Sequence, residues 1–166
     1  ARGKVREIAR NGIAALAAEE RTRLKLDEPL PRPLADALAS ELKGSHCGLL
    51  PDTAIPGLAA AQRYRDAHLA DAVLKAAGQH GSAILIAGNG HVRTDRGVPW
   101  HIHQRAPDRK VVSVMMIEVE DGRTDPGAYV PRGPDGNPAA DYILLTPRSE
   151  RIDPCEAMRQ SRGKRG

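Results

Sequence analysis

The chain has 166 residues, the size of one domain or of a large part of one. Its 25 basic side chains outnumber its 21 acidic ones, but the last ten residues hold four basic side chains and no acidic one. The rest of the chain is therefore balanced in charge, which argues against nucleic acid as a partner, since phosphate binding needs clustered positive charge. No apolar run approaches the roughly 20 residues of a membrane span.

The composition is short of large core side chains. There is no Phe, one Trp and three Tyr, although aromatic side chains dominate burial in most cores. This shortage suggests that part of the core is supplied from outside these residues. Two cysteines, Cys47 and Cys155, are too few for a disulfide scaffold, and they are either ordinary small side chains or a single disulfide.

Helices are predicted for the first half of the chain, because apolar residues recur there at three- and four-residue spacing. Prolines concentrate in residues 27–33, which are therefore predicted to form a loop. Pro56 fits the first turn of the longest helix. The predicted helices are 4–20, interrupted at Gly12, 34–42 and 55–77.

Strands are predicted for the second half. Residues 82–87 are a short apolar run, typical of a strand that is buried on both faces of a parallel sheet. Residues 121–141 are rich in Gly, Pro and Asp and are predicted to be a surface loop. The remaining predicted elements are strands 110–119 and 142–146, a helix over 98–106, and a closing helix over 153–160 with Asp153 as its N-cap. The fold class is α/β, although three strands make a small sheet.

The most informative candidate site follows the first predicted strand. Open α/β sheets bind ligands beyond the carboxyl ends of their strands, and Gly88 and Gly90 would let the backbone approach a ligand there. His91 would then be a base, a metal ligand or a neighbour of haem. The alternative is a tight turn with His91 as a polar cap. Arg93 and Asp95 follow in the same loop, which lacks the third glycine of a dinucleotide site.

Further candidates come from the turn before the longest helix and from that helix. His46 lies in a turn bounded by glycines and is either a ligand or a loop histidine. Gln62 and Asp66 share one stripe of the helix, by their four-residue spacing, and form either site support or a solvated face. Tyr64 lies on another stripe and is either core filler or, as a phenolate, a ligand of ferric haem.

Several segments together resemble one family. These are GSHCGLLPD, AQRYRDAHLADAVL, LIAGNGHVRTDRGVPWHI, VVSVMMIEVE and ADYILLTPRSERIDPCEAMR. They resemble the ChaN-like haem-binding uptake proteins, of the superfamily that includes erythromycin esterase, TraB and Tiki. The resemblance implies a mostly parallel sheet flanked by helices, with a helical insertion over about 27–80. It also implies a location in the bacterial cell envelope.

The resemblance implies that a first half is missing from this chain. The family's opening strands and its Gly-Glu-x-His motif are not found in the sequence. Residues 1–156 are therefore expected to be the C-terminal portion of a haem-binding domain, with residues 157–166 as a basic flexible tail. The missing N-terminal half of the same protein is then an expected partner.

Haem is the ligand that the resemblance implies. In some members of the family, two copies of the protein form a homodimer around haem, and a tyrosine binds the iron. Paired Gly-x-x-His motifs in the superfamily hold a catalytic or metal site, so a metal-dependent hydrolase using His91 and His46 is the alternative, and a non-catalytic interaction module is a second alternative. The expected haem-binding residues are Tyr64, His91, His46, Asn89 and Arg93, supported by Gln62, Asp66, Gly88, Gly90 and Asp95.

Overall fold

The computed structural model describes residues 2–163. Its helices are α1 (Arg2–Asn11), α2 (Ala18–Arg23), α3 (Arg32–Ser45), α4 (Ile55–His80), α5 (Val98–Arg105) and α6 (Pro154–Gly163). Its strands are β1 (Val114–Glu118) and β2 (Tyr142–Thr146). No helix within this described part is long and apolar enough to cross a membrane.

The helical half agrees with the predicted pattern, except that α3 begins inside the predicted loop 27–33 and that α3 and α4 each end three residues beyond the predicted 42 and 77. Gly12 adopts a φ of +74°, which ends α1 and separates it from α2. Gly81 ends α4 in the same way, with a φ of +82°. At Gly57, a side chain would overlap the carbonyl group of Ala9, so the two helices α1 and α4 cross closely there. The core between them contains Ile8, Leu16, Leu24, Leu26, Tyr64 and Ala67.

The sheet is smaller than the sequence predicts. β1 and β2 are parallel and pair from Val114 with Tyr142 to Glu118 with Thr146, so the strand at 142–146 is confirmed and the one at 110–119 is shorter than expected. Among the described residues, these two strands form the whole sheet. A mixed α/β structure is therefore observed, with a parallel sheet that has two strands among the described residues; the larger, mostly parallel sheet stays a prediction.

The strand predicted at 82–87 is wrong as stated. The segment follows α4 without pairing to another strand, and the side chains of Ile84 and Ile86 are 92% and 94% exposed instead of buried. The physical reason is that a strand needs neighbours on its hydrogen-bonding edges, and no strand within residues 2–163 pairs with this segment. Leu85 points the other way, together with Val111, against a second core of α4 and α5.

Helix α6 is linked to the helical half by a covalent bond. Oδ1 of Asp153 accepts hydrogen bonds from the backbone N–H groups of Cys155 and Glu156, at 2.8 and 3.0 Å, which confirms the predicted N-cap of α6. Cys155 forms a disulfide with Cys47, which follows α3. Of the predicted tail 157–166, the part up to Gly163 belongs to α6, and residues 164–166 lie outside the described residues.

Candidate functional site

The loop between residues 88 and 97 precedes α5 and contains His91, whose backbone contacts the first residue of that helix. The backbone N–H of His91 donates to the carbonyl of Gly88 at 2.9 Å, and its carbonyl accepts from the N–H of Val98 at 2.7 Å. Gly97 closes the loop, because a side chain there would come within 3 Å of the backbone N and O atoms of Arg93. His91 is therefore held by backbone contacts on both sides.

The imidazole of His91 meets α4. Its Nδ1 lies 2.5 Å from Oδ1 of Asp66 and 3.1 Å from Nε2 of Gln62. Asp66 is 2% exposed, whereas the side chain of His91 is 23% exposed. Because both contacts use Nδ1, Nε2 is the ring nitrogen left for a ligand. The four-residue spacing that placed Gln62 and Asp66 on one stripe therefore brings both of them to His91.

The contact between His91 and Asp66 and the burial of the two groups shift their pKa values in opposite directions. Burial raises the pKa of Asp66 to about 6, although the hydrogen bond and the charge of His91 lower it. The hydrogen bond to Asp66 raises the pKa of His91, and burial opposes that effect only in part. Arg65 and Glu41 are the other charged groups that act on His91, and they act in opposite directions. A carboxylate that holds one nitrogen of an imidazole is the usual support of a metal-ligating or proton-transferring histidine.

Arg93 and Asp95 belong to a buried cluster of ion pairs below the loop. Arg93 donates to both carboxylate oxygens of Asp95, at 2.8 and 2.7 Å, and Arg96 donates to the same carboxylate at 2.7 Å. Arg96 also pairs with Glu41 of α3. The side chains of both arginines are less than a tenth exposed. Arg96 and, at 3.8 Å, Arg93 therefore attach the loop to Glu41 of α3, and Asp95 links the two arginines to each other.

The predicted glycines differ from each other. A side chain at Gly88 would meet nothing within 4 Å, whereas at Gly90 it would meet the carboxylate of Glu41 at 2.9 Å. Neither glycine has a positive φ, so neither is needed for a left-handed backbone. Asn89, between them, is exposed and donates from its side chain to the carbonyl of Met116 at 2.8 Å.

Tyr64 lies apart from His91. It is 7% exposed in the core between α1 and α4, and its hydroxyl donates to Glu20 at 3.3 Å. Burial, and then Glu20, raise the pKa of the phenol, which disfavours a phenolate. Tyr64 and Asp66 are about 200° apart on a helix, so the two side chains face different neighbours.

His46 also contacts other residues than those around His91. Its Nδ1 is 2.8 Å from the carbonyl of Leu42, at the end of α3. Within residues 2–163, no group of three or more His, Cys, Asp or Glu side chains is arranged to hold a metal ion. The structure therefore provides no metal cluster around His91 and His46.

Sequence reasoning missed Glu41, Arg96 and Gly97 as parts of this site. Gly97 had a signal, since it closes the glycine-rich loop that begins at Gly88. Glu41 had none, because its contact with Arg96 spans 55 residues and depends on how α3 packs.

One comparison with known proteins gives a match. The family model described as "Haem-binding uptake, Tiki superfamily, ChaN" matches residues 1–102, which include His91, Asp66 and the whole loop between residues 88 and 97. No curated protein and no solved structure matches the chain.

Proposed function

Because the chain belongs to the haem-binding uptake (ChaN) family of the Tiki superfamily, we propose that it binds haem as the cargo of iron or haem uptake, with His91 as the ligand of the iron. The observation that carries the residue assignment is the contact between Nδ1 of His91 and the buried carboxylate of Asp66 at 2.5 Å. Histidine is a common protein ligand of haem iron.

The donor set fits haem at His91. Asp66 holds the ring through Nδ1, so Nε2 is directed away from that contact, and a carboxylate partner raises the basicity of a ligating imidazole. No atom lies within 4 Å of where a side chain would begin at Gly88, so the rim of the site is open to a flat molecule there. Bound haem would supply a redox-active iron at this rim.

Haem titration of three variants tests the proposal. Ferric haem is added to the wild-type chain, to His91→Ala and to Tyr64→Phe, and the Soret band is followed. We expect a shifted Soret band in the wild type and in Tyr64→Phe, and at least a tenfold weaker affinity in His91→Ala. His46→Ala serves as a histidine control and should bind as the wild type does.

Each contrary outcome has a defined meaning. A loss of the shift in Tyr64→Phe but not in His91→Ala would move the iron to the tyrosine, as the family resemblance implies for some members. The absence of any Soret shift in the folded wild type would reject haem binding by this chain. Circular dichroism of each variant verifies that a loss is not caused by unfolding.

A hydrolase is the second candidate, because the same His91–Asp66 pair is the arrangement of a general base and its orienting carboxylate. It predicts turnover of an activated ester that is lost in His91→Ala and is independent of haem. Measuring turnover with and without added Zn²⁺ separates a metal-dependent activity from a metal-free one. If neither turnover nor a Soret shift is observed, the non-catalytic interaction module is favoured.

The location and the partners are part of the same proposal. We place the protein in the bacterial cell envelope, and the disulfide between Cys47 and Cys155 supports an oxidising compartment. A homodimer around haem predicts that, at a concentration low enough for the haem-free chain to be monomeric, sedimentation will show a doubled mass after haem is added. The N-terminal half of the same protein is proposed as a further partner, which would cover exposed apolar side chains such as those of Ile84 and Ile86.

A further inference from the structure

Arg65 is a positively charged side chain beside the site of His91. It directly precedes Asp66 on α4 and follows Gln62 by three residues. Nδ1 of His91 lies 2.5 Å from Oδ1 of Asp66 and 3.1 Å from Nε2 of Gln62, so this side of α4 faces the imidazole. Residues three apart are neighbours on a helix surface. Arg65 therefore lies on the flank of the contact between α4 and His91.

The guanidinium of Arg65 is available to a ligand. Arg65 is exposed, whereas the adjacent Asp66 is 2% exposed. Within residues 2–163, Arg65 forms no hydrogen bond and no ion pair. Arg93 and Arg96 differ in this respect, because both donate to Asp95. The N–H donors of Arg65 are therefore directed at solvent beside the site.

The charge of Arg65 reaches the imidazole. It lowers the pKa of His91, and the charge of Glu41 acts in the opposite direction. The carboxylate of Glu41 already pairs with Arg96, however. Arg65 has no such partner among the described residues, so it leaves an unpaired positive charge close to the ring.

A carboxylate is the group that this charge would bind best. A guanidinium can donate two parallel hydrogen bonds to one carboxylate, which fixes the orientation of the bound molecule as well as adding affinity. Haem carries two propionate carboxylates at one edge of the macrocycle, away from the iron. A cation that pairs with them must lie beside the ligand of the iron and be exposed, as Arg65 is beside His91.

We propose that Arg65 binds a propionate of haem and thereby makes the site selective for porphyrins with a free carboxylate. This role rests on the proposed function, because iron binding at His91 is what would bring the macrocycle to α4. An ion pair at an exposed position contributes little free energy. His91 therefore supplies most of the affinity, and Arg65 determines which porphyrins are preferred and how they are oriented.

A comparison of haem with its dimethyl ester tests the inference. Both ferric ligands are delivered from the same dilute detergent into the wild-type chain and into Arg65→Gln, and the Soret band is followed. The ester keeps the iron and the macrocycle but has no carboxylate. We expect the wild type to bind haem about threefold more tightly than the ester. Arg65→Gln should bind both ligands equally, with the affinity that the wild type has for the ester.

Lys75→Gln is the matched control. Lys75 is also an exposed positive charge on α4, ten residues beyond Arg65, which is about 15 Å along the helix axis. The substitution removes the same net charge and should leave the preference for haem over the ester unchanged. Circular dichroism verifies that both variants keep the fold.

A second measurement needs no haem. Because the charge of Arg65 lowers the pKa of His91, Arg65→Gln should raise that pKa in the free chain, and Lys75→Gln should not change it. The chemical shifts of the His91 ring protons, followed against pH, report the pKa. An unchanged pKa in Arg65→Gln would mean that the guanidinium is not beside the imidazole and would overturn the inference.

The titration separates this inference from the proposed function. A wild type that binds haem and the ester equally, a preference that survives in Arg65→Gln, or one that is lost in Lys75→Gln as well would overturn the role of Arg65. Each of these results leaves the role of His91 in place. The absence of a Soret shift with either ligand in the folded wild type would reject haem binding, and the role of Arg65 with it.

Discussion

At the scale of single residues, Asp66 decides the behaviour of His91. It provides the largest effect that raises the pKa of the imidazole, through a hydrogen bond between two poorly exposed groups. A neutral ring is needed for Nε2 to bind iron, so haem affinity should increase as pH rises through the pKa of His91.

We predict that Asp66→Asn lowers the pKa of His91 and moves the pH midpoint of haem binding down with it. Asparagine keeps the size and an acceptor oxygen but removes the charge. The pKa is measured in the free chain by the chemical shift of the His91 ring protons. Asp71→Asn is the control, since Asp71 pairs with Arg23 and Arg105. An unchanged His91 pKa in Asp66→Asn would contradict the role given to the carboxylate.

The sign of the His91 contribution to stability follows from the raised pKa. The stability is fully present below the ordinary pKa of about 6.5 and decreases as pH rises through the higher folded value. Asp66→Asn should therefore flatten the decrease of unfolding free energy that begins as pH rises above about 6.5.

Gly97 carries the second prediction at this scale. A side chain there would meet the backbone N and O of Arg93 at 2.9 and 2.8 Å, and backbone moves less readily than a flexible side chain. We expect Gly97→Ala to lower the free energy of unfolding in urea by about 1–3 kcal/mol. Gly88→Ala, which meets nothing within 4 Å, should change it by less than about 0.5 kcal/mol. Equal effects would show that the loop rearranges freely.

At the scale of elements, α6 depends on its disulfide. Residues 147–154 before and at its start are exposed, and the ion pair between Arg151 and Glu118 is a surface contact of small value. The Cys47–Cys155 bond spans 108 residues of sequence, so it restricts the unfolded chain strongly.

We predict that reduction lowers the free energy of unfolding by about 2–4 kcal/mol and opens the region after β2 to proteolysis. The double substitution Cys47→Ser and Cys155→Ser should behave as the reduced wild type does, and adding a reductant to it should change nothing. Limited proteolysis followed by mass spectrometry locates the cut. Resistance of this region in the reduced chain would show that α6 is held by packing instead.

The elements that sequence predicted best depend on local chemistry. Gly12 and the Asp153 cap act within a few residues, so the helix ends that they define were visible in the sequence. The unpaired state of residues 82–87 was not visible in the sequence. Their apolar run indicates burial but contains no information on whether a neighbouring strand is present. The same limit applies to the site, where Gln62 and Asp66 were grouped correctly by spacing. Their contact with His91 depends on how the loop at 88–97 packs on α4.

At the scale of the whole molecule, one surface of the sheet region is exposed and apolar. It joins side chains of the unpaired segment and of both strands at two-residue spacing: Ile84, Ile86, Val112, Val114, Met116, Tyr142 and Leu144, all between 49% and 94% exposed. Surfaces of this kind are sites of protein association. The absence of Phe agrees with it, since the large side chains that would complete a core are not in this chain.

We therefore expect the isolated chain to bind the dye ANS and to associate as its concentration rises. The double substitution Ile84→Lys and Ile86→Lys should reduce both effects, because both side chains are almost fully exposed and their replacement removes apolar surface without opening a cavity. The control substitutes Lys at Gln79 and Gln104, two exposed positions on helices, which adds the same charge away from this surface. Sedimentation over a hundredfold range of concentration distinguishes the chains. Association that falls equally in both double variants would mean that net charge, and not the apolar surface, controls it. A wild type that stays monomeric and does not bind ANS would show that the surface is covered in solution.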